Sequence, residues 1–152
     1  MKRLLPLVSF VYFTLVAGFG LAQEAEPPLG NAIRPAADAR LSDFLWVSRP
    51  IVVFADSPED PQYIQQMELI SERLGALVDR DVVVLTDTDP AARNPIRQDL
   101  RARGFMLVVI AKDGAILQRK PAPWDVREIT RSIDKQPLRQ REMRDSRQGL
   151  QP

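Results

Sequence analysis

Residues 51–61 read IVVFADSPEDP. The β-branched and aromatic run at 51–54 is typical of a strand covered on both faces, and we expect the strand to extend over 51–55. The following Ser57-Pro58-Glu59-Asp60 has the composition of a helix start, with Ser57 as the expected N-cap and Asp60 at the capping-box position. Apolar residues then recur at helical spacing. The stretch therefore predicts a buried strand that leads directly into an amphipathic helix.

Two further apolar runs, at 82–85 and 105–111, lack alternation and predict two more buried strands. The Asp-Gly pair at 113–114 indicates a tight turn, and 115–119 returns as an antiparallel fourth strand. Helices are predicted before, between and after these strands. The resulting order, α-β-α-β-α-β-β-α, is that of the thioredoxin fold. We therefore expect a thioredoxin-like three-layer α/β/α sandwich with a four-stranded mixed sheet, formed by one domain over residues 38–137.

The chain of 152 residues contains neither cysteine nor histidine. The absence of cysteine excludes disulfide exchange and thiolate nucleophiles. The absence of histidine removes the commonest general base and the commonest zinc ligand. Catalysis by Ser-His or Cys-His pairs is therefore excluded, and an enzyme would have to rely on carboxylates, Lys, Tyr or backbone groups.

The two ends of the chain differ in composition from its centre. Residues 1–22 have a basic start, an apolar stretch and small residues before Gln23, which predict a cleaved signal peptide and a periplasmic or secreted protein. The alternative is an uncleaved anchor, since the apolar stretch nearly reaches spanning length. Residues 23–37 are predicted to be a linker, and 138–152 a polar, disordered tail.

Charge argues against a nucleic-acid partner. Loss of Lys2 and Arg3 with the signal peptide would leave 19 basic and 20 acidic residues, a formal net charge of −1. The tail is locally basic, with acids between its bases, and we interpret it as a solvated end rather than a lipid-binding or acid-binding segment. After signal cleavage we expect no stable membrane insertion.

Four stretches of the sequence together resemble a known family: LSDFLWVSRPIVVFADSPEDP, DVVVLTDTDPAAR, RGFMLVVIAKDG and RKPAPWDVREITRSIDKQPLR. They are similar to a bacterial domain-of-unknown-function family of thioredoxin-like, cysteine-free proteins, related to the thioredoxin-like domain of animal sushi-repeat-containing extracellular proteins. The resemblance covers roughly residues 38 to 143. It implies a thioredoxin/peroxiredoxin-like fold without redox cysteines, and no established activity or catalytic residues. Redox-active thioredoxins also place a cis-proline before the third strand, whereas this chain has Gly104-Phe105-Met106 there.

Acidic residues follow the first two predicted parallel strands. Asp56 and Ser57 come after the first strand, and Asp87 and Asp89 come after the second. The carboxyl ends of adjacent parallel strands meet at one edge, where open α/β sheets bind ligands. Carboxylates without His or Cys would favour a hard cation such as Mg²⁺ or Ca²⁺. The alternative is that these side chains only cap helices, and no metal motif is present.

Trp124 is the aromatic candidate for partner binding. It follows Pro121-Ala122-Pro123 and opens a predicted helix, so it either covers the edge of the core or presents a face to a partner. With Asp56, Ser57, Asp87 and Asp89 it completes the predicted binding residues, and no catalytic residue, metal ligand or cofactor is predicted.

The sequence as a whole favours a non-catalytic binding or interaction module with an unknown protein or peptide partner. Two alternatives stay open at this point. One is a carboxylate-based hydrolase dependent on a divalent metal, which would use Asp56, Asp87 and Asp89. The other is a structural subunit of an envelope complex.

Overall fold

A mixed five-stranded sheet forms the centre of the domain in the computed structural model, which describes residues 31–37 and 39–149. The strands are β1 (Ile33–Pro35), β2 (Arg49–Phe54), β3 (Val82–Asp87), β4 (Met106–Ile110) and β5 (Ile116–Lys120). Their spatial order is β1-β3-β2-β4-β5. Strands β1, β2 and β3 are parallel, and β4 runs antiparallel to both of its neighbours, β2 and β5.

Helices cover both faces of this sheet. Side chains alternate along β2, so that Ile51 and Val53 enter one core while Val52 and Phe54 enter the other. The helices are α1 (Pro61–Glu72), α2 (Leu74–Val78), α3 (Pro95–Leu100), α4 (Val126–Asp134) and α5 (Pro137–Gly149). The first core is closed by α1, α2 and α4, and the second by α3 and the 3₁₀ turn Leu41–Phe44. This arrangement is the predicted three-layer sandwich.

The prediction of four strands is wrong, because β1 lies inside the segment predicted to be a linker. Ile33 pairs with Val84, and the flanking bonds from Val84 N to Ala32 O and from Ala36 N to Thr86 O measure 2.7 and 2.9 Å. Ala36 is fully buried. The strand has only three residues, too few to show an alternating pattern, and it forms because the free edge of β3 offers unpaired backbone groups.

The C-terminal segment is also more ordered than predicted. The helix α5 occupies most of the 138–152 stretch that was expected to be disordered, although none of its side chains is buried. It docks through charge, as its Glu142 carboxylate accepts two hydrogen bonds of 2.9 Å from Arg49 Nη2. The predicted signal peptide and the end of the tail lie outside the described residues. Among the residues described, no helix is both long and apolar enough to cross a bilayer.

Candidate functional site

The carboxyl edge of β2 and β3 is organised around a buried arginine. Arg97 extends from α3, and its Nε and Nη2 each donate to the carboxylate of Asp87 at 3.0 Å. The Arg97 and Asp87 side chains are only 7% and 4% exposed. This is a bidentate, charge-assisted pair removed from solvent. The negative charge of Asp87 is therefore neutralised by the Arg97 side chain.

The same guanidinium also satisfies backbone groups at the ends of both strands. Arg97 Nη2 donates to Ala55 O at 2.6 Å and to Asp87 O at 2.9 Å. Its carbon Cζ lies 5.3 Å from the centroid of the Phe54 ring, within range of a cation–π contact. Arg97 thus ties the ends of β2 and β3 together, and we call Arg97, Asp87 and the two carbonyls the arginine lock.

The predicted acidic residues lie at this edge, but the structure does not bring them together as a cation site. Asp56 has a side chain 62% exposed, with Oδ1 at 3.5 Å from Arg97 Nη1. Asp89 accepts hydrogen bonds from the amides of Ala91 and Ala92 and caps a 3₁₀ turn. Within the described ranges, no group of three or more His, Cys, Asp or Glu residues could hold a metal ion. The acids of the hydrolase hypothesis thus lie at one edge, where Asp56 and Asp87 contact Arg97 and Asp89 caps a turn.

The prediction that Ser57 caps α1 is wrong, because the helix begins at Pro61 and its N-cap is Asp60. The Asp60 carboxylate accepts from the amides of Gln62 and Tyr63 at 2.8 and 3.4 Å. Ser57 instead donates to the carboxylate of Glu59, which together with the Glu59 amide lowers the pKa of that exposed acid. Proline disfavours helical geometry in the residue before it. Asp60 therefore stays outside the helix, which begins at the next residue, Pro61.

Trp124 is held at the edge of the first core by a buried glutamine. Gln66 on α1 is fully buried, and its side-chain amide forms two hydrogen bonds with the Trp124 backbone, at 2.7 and 3.1 Å. The indole is partly buried against the core, and Lys120 Nζ lies 4.7 Å from its centroid. A role for Trp124 in partner binding stays a prediction, and the contacts that the structure gives join it to Gln66 on α1 and to Lys120.

The opposite end of the sheet carries a second charged cluster that sequence reasoning missed. Arg49 is 1% exposed and donates from Nη1 to Arg80 O at 2.8 Å, in addition to its bonds with Glu142. Lys112 Nζ lies 3.1 Å from Glu142 and 2.7 Å from Asp81. Partial burial acts to raise the pKa of Glu142, but hydrogen bonds from Arg49, Lys112 and Arg139 outweigh it and lower the pKa to about 2. The cluster attaches α5 to the sheet.

Exposed apolar side chains lie beside this cluster. Leu45, Trp46 and Val47 are consecutive and are 41%, 69% and 65% exposed. Trp46 has a φ of 63°, a left-handed conformation that is unusual for a bulky residue, and its amide donates to Lys112 O at 2.7 Å. Trp46 lines a cavity of about 250 Å³, to which Leu138 and Arg141 of α5 also contribute. We call Leu45, Trp46 and Val47 the apolar triplet.

Comparison with known structures identifies the class of fold. The crystal structure of reduced 2-Cys peroxiredoxin from Plasmodium vivax is similar over 63% of this chain and 81% of its own, with a TM-score of 0.53 and 14% identity. The solution structure of reduced desulfothioredoxin from Desulfovibrio vulgaris Hildenborough covers 65% of this chain and 91% of its own, with a TM-score of 0.46 and 23% identity. The protein has a thioredoxin-like α/β fold, and it lacks the cysteine on which redox chemistry depends.

The family follows from the sequence profile. The family described as Domain of unknown function (DUF4174) matches residues 40–142, about two thirds of the chain, and the protein belongs to it. No curated protein matches the chain. Membership confirms the resemblance drawn from the sequence, and the matched residues include Glu142, by which α5 binds Arg49.

Proposed function

We propose that this protein is a non-catalytic binding module of the periplasm or the extracellular space, built on a thioredoxin-like scaffold. The arginine lock is the observation that carries the proposal. At the edge where thioredoxin-like proteins place their reactive loop, the only buried carboxylate, among the residues described, is neutralised by Arg97. The neighbouring carboxylates of Asp60 and Asp89 accept hydrogen bonds from backbone amides.

Chemical reasoning supports the absence of catalysis at this edge. A reactive group needs a free lone pair or a proton at a controlled pKa, and a site where substrate can approach it. Both oxygens of Asp87 accept from Arg97, and the remaining acids are solvated or cap helices. Cysteine and histidine are absent from the whole sequence, so neither can supply the missing group.

Enzyme assays on the purified protein test this function. Insulin disulfide reduction, peroxide consumption and hydrolysis of generic phosphate and carboxylate esters with Mg²⁺, Ca²⁺ or Mn²⁺ present should not exceed a buffer blank. Turnover that rises in proportion to protein concentration and disappears in an Asp56→Asn or Asp89→Asn variant would overturn the proposal. Asp99→Asn, on the exposed face of α3, is the matched control.

Cellular location is tested separately from activity. We expect the protein to fractionate outside the cytoplasm, with an intact mass that corresponds to a chain beginning at Gln23. A protein recovered only from the cytoplasm, with residues 1–22 retained, would contradict the proposed location and leave the proposed lack of catalysis intact.

A further inference from the structure

We propose that the end of the domain bearing the apolar triplet docks reversibly on an anionic phospholipid surface. The inference deepens the proposed binding function, on which it rests, by naming the surface and the chemistry of its partner. Three independent features point to the same end of the sheet: exposed apolar side chains, an adjacent basic helix and the entry point of the chain.

The apolar triplet is held outward by the backbone. A bulky residue in left-handed geometry is strained, and such strain persists only where neighbouring contacts enforce it. Here the Trp46 amide bonds to Lys112 O, and Leu45 packs against Gly114, where an added Cβ would lie 3.0 Å from Leu45 Cδ2. Gly114 itself has a φ of +85°. The turn at 112–114 thus holds the triplet in place with Trp46 exposed.

A protruding tryptophan between aliphatic residues suits the interface of a bilayer. Indole rings concentrate at the headgroup level, where the ring is apolar and its N–H stays hydrated. Leu45 and Val47 flank Trp46 on the chain and add apolar area at the same end. The triplet is too short to span a membrane, so the contact it makes is peripheral.

Basic residues on α5 lie beside the triplet. Arg141 lines the cavity that Trp46 also lines, Arg144 lies one helical turn further on, and both side chains are exposed along with that of Arg147. Asp113 is the acid in the same cavity, and Lys112 is already bound to Asp81 and Glu142. Arg141 lies beside the apolar triplet on an ordered helix, and this placement revises the interpretation of the segment as a solvated end. The exposed Asp145 lies between Arg144 and Arg147, and the exposed arginines are available to anionic headgroups, each contributing about 1 kcal/mol near such a surface.

The chain enters the domain at this same end. Asn31, the first described residue, shares a surface cavity with Ser48, which directly follows the triplet. The apolar stretch at 4–21 lies upstream of it in the sequence. The nine residues 22–30 reach at most about 30 Å when extended. Before the signal peptide is removed, the apolar stretch would therefore hold the apolar triplet toward the bilayer. After cleavage at Gln23, the triplet and the arginines alone carry the contact.

Vesicle binding by residues 23–152, which contain both cores, tests the proposal. Sedimentation with phosphatidylcholine vesicles should be weak, and phosphatidylglycerol should increase it in a salt-sensitive way. Trp46→Asn should weaken binding about tenfold or more, because it removes the apolar ring, and asparagine tolerates the left-handed backbone. Arg141→Gln and Arg144→Gln should each weaken binding about fivefold.

Matched controls come from the other end of the sheet. Ile64→Ala removes an apolar side chain that is 44% exposed on α1, and Arg127→Gln removes an exposed charge at the start of α4. Both variants should bind as the parent does. No binding to anionic vesicles, or equal losses in both sets of variants, would overturn the proposal. Crosslinking of Trp46 to a protein in place of lipid would also overturn it, while the non-catalytic binding function would stand.

Discussion

Arg97 on α3 donates two hydrogen bonds of 3.0 Å each to the carboxylate of Asp87 at the end of β3. Both side chains are almost fully buried, and the same guanidinium reaches the carbonyls of Ala55 and Asp87. A buried charge pair is stable only when its remaining donors and acceptors are satisfied, as they are here. The pair occupies the carboxyl edge of β2 and β3 with two buried charges that neutralise each other.

Removing Arg97 should be strongly destabilising. In Arg97→Met the Asp87 carboxylate is left buried without its partner, and the expected loss is about 3–5 kcal/mol in the free energy of unfolding. Urea unfolding followed by circular dichroism measures it. Arg93→Met, at an exposed position before α3, is the control and should change stability by less than about 0.5 kcal/mol.

A double variant separates the charge pair from the packing of Arg97. Adding Asp87→Asn to Arg97→Met removes the unpaired charge and should restore part of the lost stability. A single Arg97→Met variant as stable as the parent would show that the lock does not hold the two strands together.

The start of α1 gives a second test. Asp60→Ala should destabilise the protein by about 0.5–2 kcal/mol, because it leaves the amides of Gln62 and Tyr63 without an acceptor. Ser57→Ala should change stability by less, since the Ser57 hydroxyl lies outside the helix and contacts Glu59. The urea midpoints of the two variants show which of the two residues caps α1. A larger effect at Ser57 than at Asp60 would contradict the observed helix start.

The strands and the start of α1 differ in how well the sequence predicts them. The strands at 51–54 and 82–85 are predictable because every residue is apolar, and burial on both faces demands that pattern. The start of α1 was misplaced because Ser57-Pro58 and Asp60-Pro61 both fit a capped start, three residues apart. The restriction that Pro61 imposes on Asp60 is local, and it would have identified the correct position.

Other features depend on contacts between distant parts of the chain. The lock joins Arg97 to the carbonyl of Ala55, 42 residues earlier, and its sequence signal is only that Arg97 shares a helix face with Ile96 and Leu100. The helix α5 has no apolar stripe, and its docking depends on Arg49, 93 residues before Glu142. Patterns of hydrophobicity do not predict charged contacts between residues so far apart in the sequence.

Acid should release α5 before the domain unfolds. The pKa of Glu142 is lowered from 4.5 to about 2, so its stabilising contribution is fully present above pH 4.5 and is lost as the pH falls toward 2. The protection of amides in 137–149, measured relative to their intrinsic exchange rate at each pH, should therefore fall over that range. In Glu142→Gln exchange should already be fast at neutral pH, with a loss of about 1–3 kcal/mol in local stability.

The control for this prediction is Glu128→Gln. Glu128 pairs with Arg131 on the exposed surface of α4, where an ion pair contributes about 0.5 kcal/mol or less. Exchange in α5 should be the same in this variant as in the parent. Equal protection of α5 in Glu142→Gln and the parent would contradict the account of docking by charge.

Restoring cysteines should not restore redox activity. In Asp56→Cys/Glu59→Cys both thiols precede the N-cap, and the first-turn amides that would stabilise a thiolate are bound to Asp60. Insulin reduction by the double variant should stay at the level of the blank. Rates like those of a thioredoxin would mean that the loop retains a functional redox geometry.

Site-specific photo-crosslinking in cells tests the central claim most directly, that the protein binds through its Trp46 end and not through the closed carboxyl edge. A photoreactive residue is placed at position 46, which is exposed, or at position 57, which is partly exposed, and adducts are resolved by mass spectrometry. We predict adducts from position 46 and only background from position 57. Adducts formed mainly at position 57 would contradict the account, because they would show that the carboxyl edge is the working surface.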